Sequence, residues 1–199
     1  MNASTSQSIP QTSRRMGVLH RYLTYYRLAQ MSNTELERLF AQGTRPPLES
    51  LDGWEFRGWN TNLLTRPLMI RKFRKGFCFQ SGLHAEGEMI GYNVSVRQNG
   101  MRDPHLALPN ELDAFRHGYF LVTPYTGGGL EPHRDALLLD YQRGPIGSPL
   151  HPGRVLKDFV VQLLPDDPDL LLGKAYAQIG PLSVFVSFFV LERYNRAGR

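Results

Sequence analysis

The stretch Ile70-Arg71-Lys72-Phe73-Arg74-Lys75-Gly76-Phe77-Cys78-Phe79-Gln80 decides the fold class of this chain. Its residues alternate: Phe73, Lys75, Phe77 and Phe79 share one face, and Lys72, Arg74, Gly76, Cys78 and Gln80 share the other. A period of two belongs to a β-strand with one buried face, whereas an amphipathic helix repeats roughly every 3.6 residues. Three phenylalanines predict a core face and the cations opposite predict a solvated one.

The same period extends in both directions. Trp54–Asn60 sets Trp54, Phe56 and Asn60 against Glu55, Arg57 and Trp59, and Met89–Arg97 sets Ile90, Tyr92, Val94 and Val96 against Gly91, Asn93, Ser95 and Arg97. Further strands are expected at Gly118–Tyr125, Ala136–Gln142, Lys157–Leu164, Leu170–Ile179 and Val184–Arg193. Turn-forming clusters at Thr126–Pro132, Arg143–Gly153 and Pro165–Asp169 separate them. Strands in succession without alternating helices exclude a doubly wound parallel sheet and predict a mainly β fold, an antiparallel barrel or strongly curved sheet of about eight strands. Gly173, Ala175 and Ala177 form a face of small residues, which admits close packing or leaves volume for a ligand. The run Val184–Leu191 is apolar on both faces and must be covered on both.

Upstream of the strands the period is helical. Met16, Leu19, Leu23 and Tyr26 suggest an amphipathic helix over 16–30. Ser32-Asn33-Thr34-Glu35 is a capping box, followed by Leu36, Leu39 and Phe40 on one face, Gly43 as an expected left-handed stop, and Pro46-Pro47 as a barrier. The expected organisation is a disordered leader at 1–13, a helical segment at 14–45, and a barrel-like domain at 51–195 that the helices lid or flank.

The segment Leu51-Asp52-Gly53-Trp54-Glu55-Phe56-Arg57-Gly58-Trp59 resembles the opening of calycin-type barrels, the lipocalin and fatty-acid-binding-protein group. It departs from their glycine–any–tryptophan spacing, because Gly53 and Trp54 are adjacent; a strand tryptophan in any plain β core would share these residues. The resemblance implies an antiparallel barrel that holds an apolar or amphipathic ligand, with Trp54 plugging one end.

Composition narrows the function classes. With 199 residues and 41% hydrophobic content, the chain can bury an ordinary core without metals or disulfides. The single cysteine, Cys78, has no internal partner, which suggests a reducing compartment. Ser13-Arg14-Arg15 superficially suggests a twin-arginine export signal, but His20, Arg21 and Arg27 interrupt the apolar region such a signal needs. A cytoplasmic location is the resulting expectation. No apolar run reaches a membrane-spanning length. Residues 1–75 carry 12 Lys/Arg against 5 Asp/Glu, so a polyanion partner needs weighing. In the basic, aromatic stretch Arg66–Phe79, Lys75 alone of the cations shares the face of Phe73, Phe77 and Phe79 and the other charges point opposite, which argues against nucleic acid.

Chemical motifs are incomplete. Pro132-His133-Arg134-Asp135 offers two ligands of a facial iron triad, but no histidine follows His151 to supply the third. The six histidines lack short zinc spacings, and Gly127-Gly128-Gly129 lacks the Lys and Ser/Thr of a phosphate loop. No cofactor is therefore expected. Polar residues placed mid-strand or at strand ends among apolar neighbours remain: Arg57, Tyr92, Asn93, Arg97, Tyr141, Lys174, Tyr176 and Glu192. An Arg or Lys beside a Tyr would hold a carboxylate-bearing ligand, with Arg57, Tyr92, Arg97, Tyr141, Lys174 and Tyr176 as candidate contacts. Glu192 could instead satisfy Lys174 internally. The expected function is small-molecule binding in a barrel cavity. A barrel isomerase, cyclase or dehydratase using Tyr, His or Asp is one alternative, and a protein-interaction module using the basic helical front is another.

Overall fold

The computed structural model describes residues 23–61, 70–79, 88–144, 155–165 and 167–197. The leader expected at 1–13 and the start of the helix expected at 16–30 lie outside the described residues.

Eight strands build the molecule: β1 (Trp54–Asn60), β2 (Lys72–Phe79), β3 (Met89–Val94), β4 (Arg116–Pro124), β5 (Leu137–Asp140), β6 (Leu156–Leu164), β7 (Asp167–Ile179) and β8 (Leu182–Arg196). They pair antiparallel in chain order, and β8 returns to β1 to close a barrel. Closure leaves no unpaired edge, which suits a chain whose strands are apolar on so many faces. The expected eight-stranded antiparallel architecture is the one observed, and it is compatible with a calycin-like barrel.

Phe56, Phe73, Phe77, Phe120 and Phe189 line the interior together with Leu137, Leu139, Val160, Leu171 and Leu191. Phe56 meets Phe77 edge-on at 5.6 Å, and Phe73 meets Phe189 edge-on at 5.9 Å. The rings fit because each of three lies across a glycine on the neighbouring strand: Phe73 faces Gly58, Phe120 faces Gly91, and Phe189 faces Gly173. A Cβ at Gly91 would stand 2.0 Å from Phe120 Cε2, so only glycine admits the ring.

The barrel has two unlike ends. At the lower end α3 (Leu48–Leu51) leads into β1, and Leu51 is wholly buried against the interior phenylalanines. Gly53, at φ 69°, makes the turn between them. Trp54 packs partly buried against this end, with the guanidinium groups of Arg196 and Arg193 over its ring at 3.8 and 4.5 Å. The upper end is marked by the close of β1, β3, β5 and β7 and the start of β2, β4, β6 and β8.

Helices α1 (Tyr25–Leu28) and α2 (Asn33–Phe40) lie on the outer wall. Leu28, Leu36 and Phe40 pack with Val161, Leu172, Phe188 and Val190, which explains the doubly apolar last strand. Phe189 and Leu191 face the interior, while Phe188 and Val190 face the helices. The capping box at α2 forms as expected, with the Glu35 amide donating to Ser32 Oγ and the Ser32 amide donating to Glu35. Gly43 departs from expectation. It is absent from the positive-φ glycines; a Cβ there would stand 2.5 Å from Val161 Cγ2, so its role is close approach to β6.

Strand β3 reverses a second expectation. Its apolar residues Tyr92 and Val94 face outward, where they cluster with Ala107 of the long β3–β4 connection. Gly91 and Asn93 face the interior. The apolar face is outermost because that connection folds back over it, pairing Ala107 with Val96.

Candidate functional site

The upper half of the interior carries a polar cluster built from strands far apart in sequence. Lys75 of β2, Asn93 of β3, Tyr141 at the end of β5 and Asp158 of β6 converge there. Lys75 Nζ donates to the Tyr141 hydroxyl and to Asn93 Oδ1 at 3.0 Å, and forms an ion pair with Asp158 Oδ2 at 3.1 Å. Tyr141 donates to Asp158 Oδ2 at 3.1 Å and accepts from Asn93 Nδ2 at 3.3 Å. Asn93 Nδ2 also donates to the Gly118 carbonyl. Four rings surround the ammonium, those of Phe120, Tyr141, Phe189 and Phe73, with centroids 4.8–5.4 Å away.

The network closes except at one atom. Asp158 Oδ1 is buried and receives no hydrogen bond among the described residues. Burial pushes the Lys75 amine below the ordinary lysine range, and the Asp158 carboxylate opposes that shift. Burial, then the Asp158 charge, holds the Tyr141 phenol well above its ordinary value, so it remains a donor. Beside the cluster the wall is lined by small side chains. Asp158 pairs in register with Ala175, and Ala175 with Ser187, so carboxylate, methyl and hydroxymethyl stand in one row across β6, β7 and β8.

The predicted ligand contacts distribute differently. Tyr141 alone of the six enters the interior cluster. Arg57 lies on the outer wall, where its Nε donates to Glu192 at 2.6 Å and its guanidinium covers the Tyr25 ring at 4.6 Å. Tyr92, also outside, donates to Glu55 at 3.0 Å under the β3–β4 connection. Arg97 is exposed in that connection. Lys174 is buried under α2, bound to Glu37 and Glu131 at 2.8 Å each, and Tyr176 donates to Glu131 at 3.0 Å. Burial lowers the Lys174 pKa, but the two carboxylates outweigh it and raise it overall. The anticipated Lys174–Glu192 pair does not form, because the two side chains have partners of their own. Outward facing follows from register: Lys174 and Tyr176 alternate with Gly173 and Ala175, which face in.

Three further features locate what the motifs do. His133 hydrogen-bonds through Nε2 to the Gly43 carbonyl at 2.9 Å and packs edge-on against Phe40, so it clamps the end of α2. Cys78 is half-buried, and burial raises its thiol pKa. A groove of about 860 Å³ opens on the outer wall between the glycine-rich β4–β5 connection and the β7–β8 hairpin, lined by Tyr125, Phe159, Tyr176, Lys157 and Arg143.

Lys75 and Asp158 are missing from the predicted set. Lys75 had a signal, because it is the one charge among three phenylalanines on its strand face. Asp158 had none: β6 is buried on both faces, so Lys157–Leu164 shows no clean alternation. Searches of protein-family models, curated proteins and solved structures return no match to this chain.

Proposed function

We propose that the upper half of the barrel binds a small apolar or amphipathic molecule whose polar end meets Lys75, Tyr141 and Asp158. The observation that carries this reading is a fully buried, hydrogen-bonded ion pair set in an aromatic core beside a row of small residues. Such a pair adds little stability, because an apolar substitute of similar volume performs as well or better. A binding role accounts for it. Several of the exposed large apolar side chains lie at this end, with Phe115 before β4, Val155 before β6, and Ile179, Leu182 and Val184 on the β7–β8 hairpin. An apolar rim suits entry of an apolar ligand.

The outer groove supports a second location for the same function. Its volume lies within the range of small-molecule sites, and Arg143 and Lys157 would favour an anionic aromatic ligand there. Native mass spectrometry of the purified protein, with extraction of any retained molecule, tests both. Retention lost in the K75M/D158L double variant and kept in Tyr176→Ala places the ligand in the barrel. The opposite pattern places it in the groove. A bare protein that ignores a panel of fatty acids, fatty alcohols and aromatic acids overturns the binding reading. A proton-transfer enzyme built on the Tyr141–Asp158 pair would then be the stronger alternative, tested by turnover in Tyr141→Phe.

A further inference from the structure

The polarity of the interior cluster restricts what can bind beside it. The Lys75 ammonium donates to Tyr141 and Asn93 and is ion-paired with Asp158, so an incoming carboxylate would have to compete with the protein's own carboxylate for it. The Tyr141 hydroxyl hydrogen is likewise given to Asp158. The remaining capacity is an acceptor, Asp158 Oδ1, on a side chain only 5% exposed. A buried acceptor without a donor is costly, and a ligand that supplies one recovers that loss.

Charge points the same way. Lys75 and Asp158 neutralise each other, so a charged headgroup placed among Phe73, Phe120 and Phe189 would be a buried ion without a counter-ion. A fatty acid would have to displace Asp158 from Lys75 or arrive protonated. A neutral hydroxyl needs neither change.

From these contacts we infer that the barrel selects an uncharged molecule with an apolar body and a hydroxyl group that donates to Asp158 Oδ1, and that it discriminates against the matching carboxylate. This rests on the proposed binding role of the barrel interior, and it assigns Asp158 as the specificity-determining contact. The expected carboxylate ligand, held by a Lys–Tyr pair, is excluded because the protein supplies its own carboxylate at that position.

The test uses the full chain and three probes of equal length, dodecanol, dodecanoate and dodecylammonium, measured by displacement of an environment-sensitive fluorophore at neutral pH. The wild type is expected to bind dodecanol at least about tenfold more tightly than either charged probe, which corresponds to about 1.4 kcal/mol. Asp158→Asn removes the counter-ion of Lys75 and offers an amide donor where Oδ1 accepts, so the preference is expected to move at least about tenfold toward dodecanoate. Dodecanoate or dodecylammonium binding the wild type as tightly as dodecanol overturns the inference and leaves the binding role standing. Failure of all three to bind overturns both. The wild-type ranking decides even if the variant does not fold.

Discussion

At the residue scale the molecule is governed by what happens to buried groups that lose their partners. Removing Asp158 would strand the Lys75 ammonium among aromatic rings. Asp158→Ala is expected to lose about 3–5 kcal/mol in denaturant titrations, and the K75M/D158L double variant to return to wild-type stability or exceed it. Equal losses in the single and double variants would show that the pair itself stabilises the barrel. The glycines under the rings give a second expectation. Gly91→Ala puts a methyl into Phe120 and should lose about 1–3 kcal/mol through overpacking, whereas the open Gly129, with nothing near its Cβ position, should tolerate the same change. Of the candidate site, this scale was the least legible from sequence. Lys75 was marked by its phenylalanine neighbours, but its partners come from β3, β5 and β6, and pairing across a barrel leaves no local trace.

At the scale of elements, the helices and the loop between β4 and β5 are fastened to the outer wall by buried charge. Glu131 has a side chain 1% exposed, and Lys174 is its counter-ion. Lys174→Met is expected to lose about 3–5 kcal/mol, since it leaves that carboxylate buried and unpaired. Adding Glu131→Gln should recover part of the loss, and no recovery would place the role of Lys174 elsewhere. Ser32→Ala, which opens the capping box, should lose about 1 kcal/mol. Elements were what the sequence expressed best. Every strand was predicted near its observed span, because alternation and turn chemistry are local. Facing was harder, since β3 and β8 are covered outside as well as inside. For a strand covered on both sides, hydrophobicity ceases to tell the interior from the exterior.

At the scale of the whole molecule, stability should depend on pH through His105, which is buried where the β3–β4 connection crosses the outer wall. Burial, reinforced by the charge of Lys72, depresses its imidazole from 6.5 to about 4. Between those values the unfolded chain takes up a proton that the folded protein refuses. Its contribution is therefore full above pH 6.5 and is lost as pH falls through the window toward about 4. Thermal melts across that range should show the fall, and His105→Asn should flatten it. An unchanged slope in the variant would assign the acid sensitivity to other groups.

The seam of the barrel has a consequence in time. Trp54 pairs with Arg196, and Asn60 with Phe189, so the first strand finds its second neighbour only in the last. The wall beneath α1 and α2 is likewise made of β6, β7 and β8. During synthesis β1 and both helices must therefore wait, with their apolar faces uncovered, until the eighth strand has left the ribosome. Loop closure over such separations makes folding slow relative to a helical bundle of similar size. The interval before the seam closes is when this chain is most exposed to aggregation, and when a chaperone would have the most apolar surface to hold.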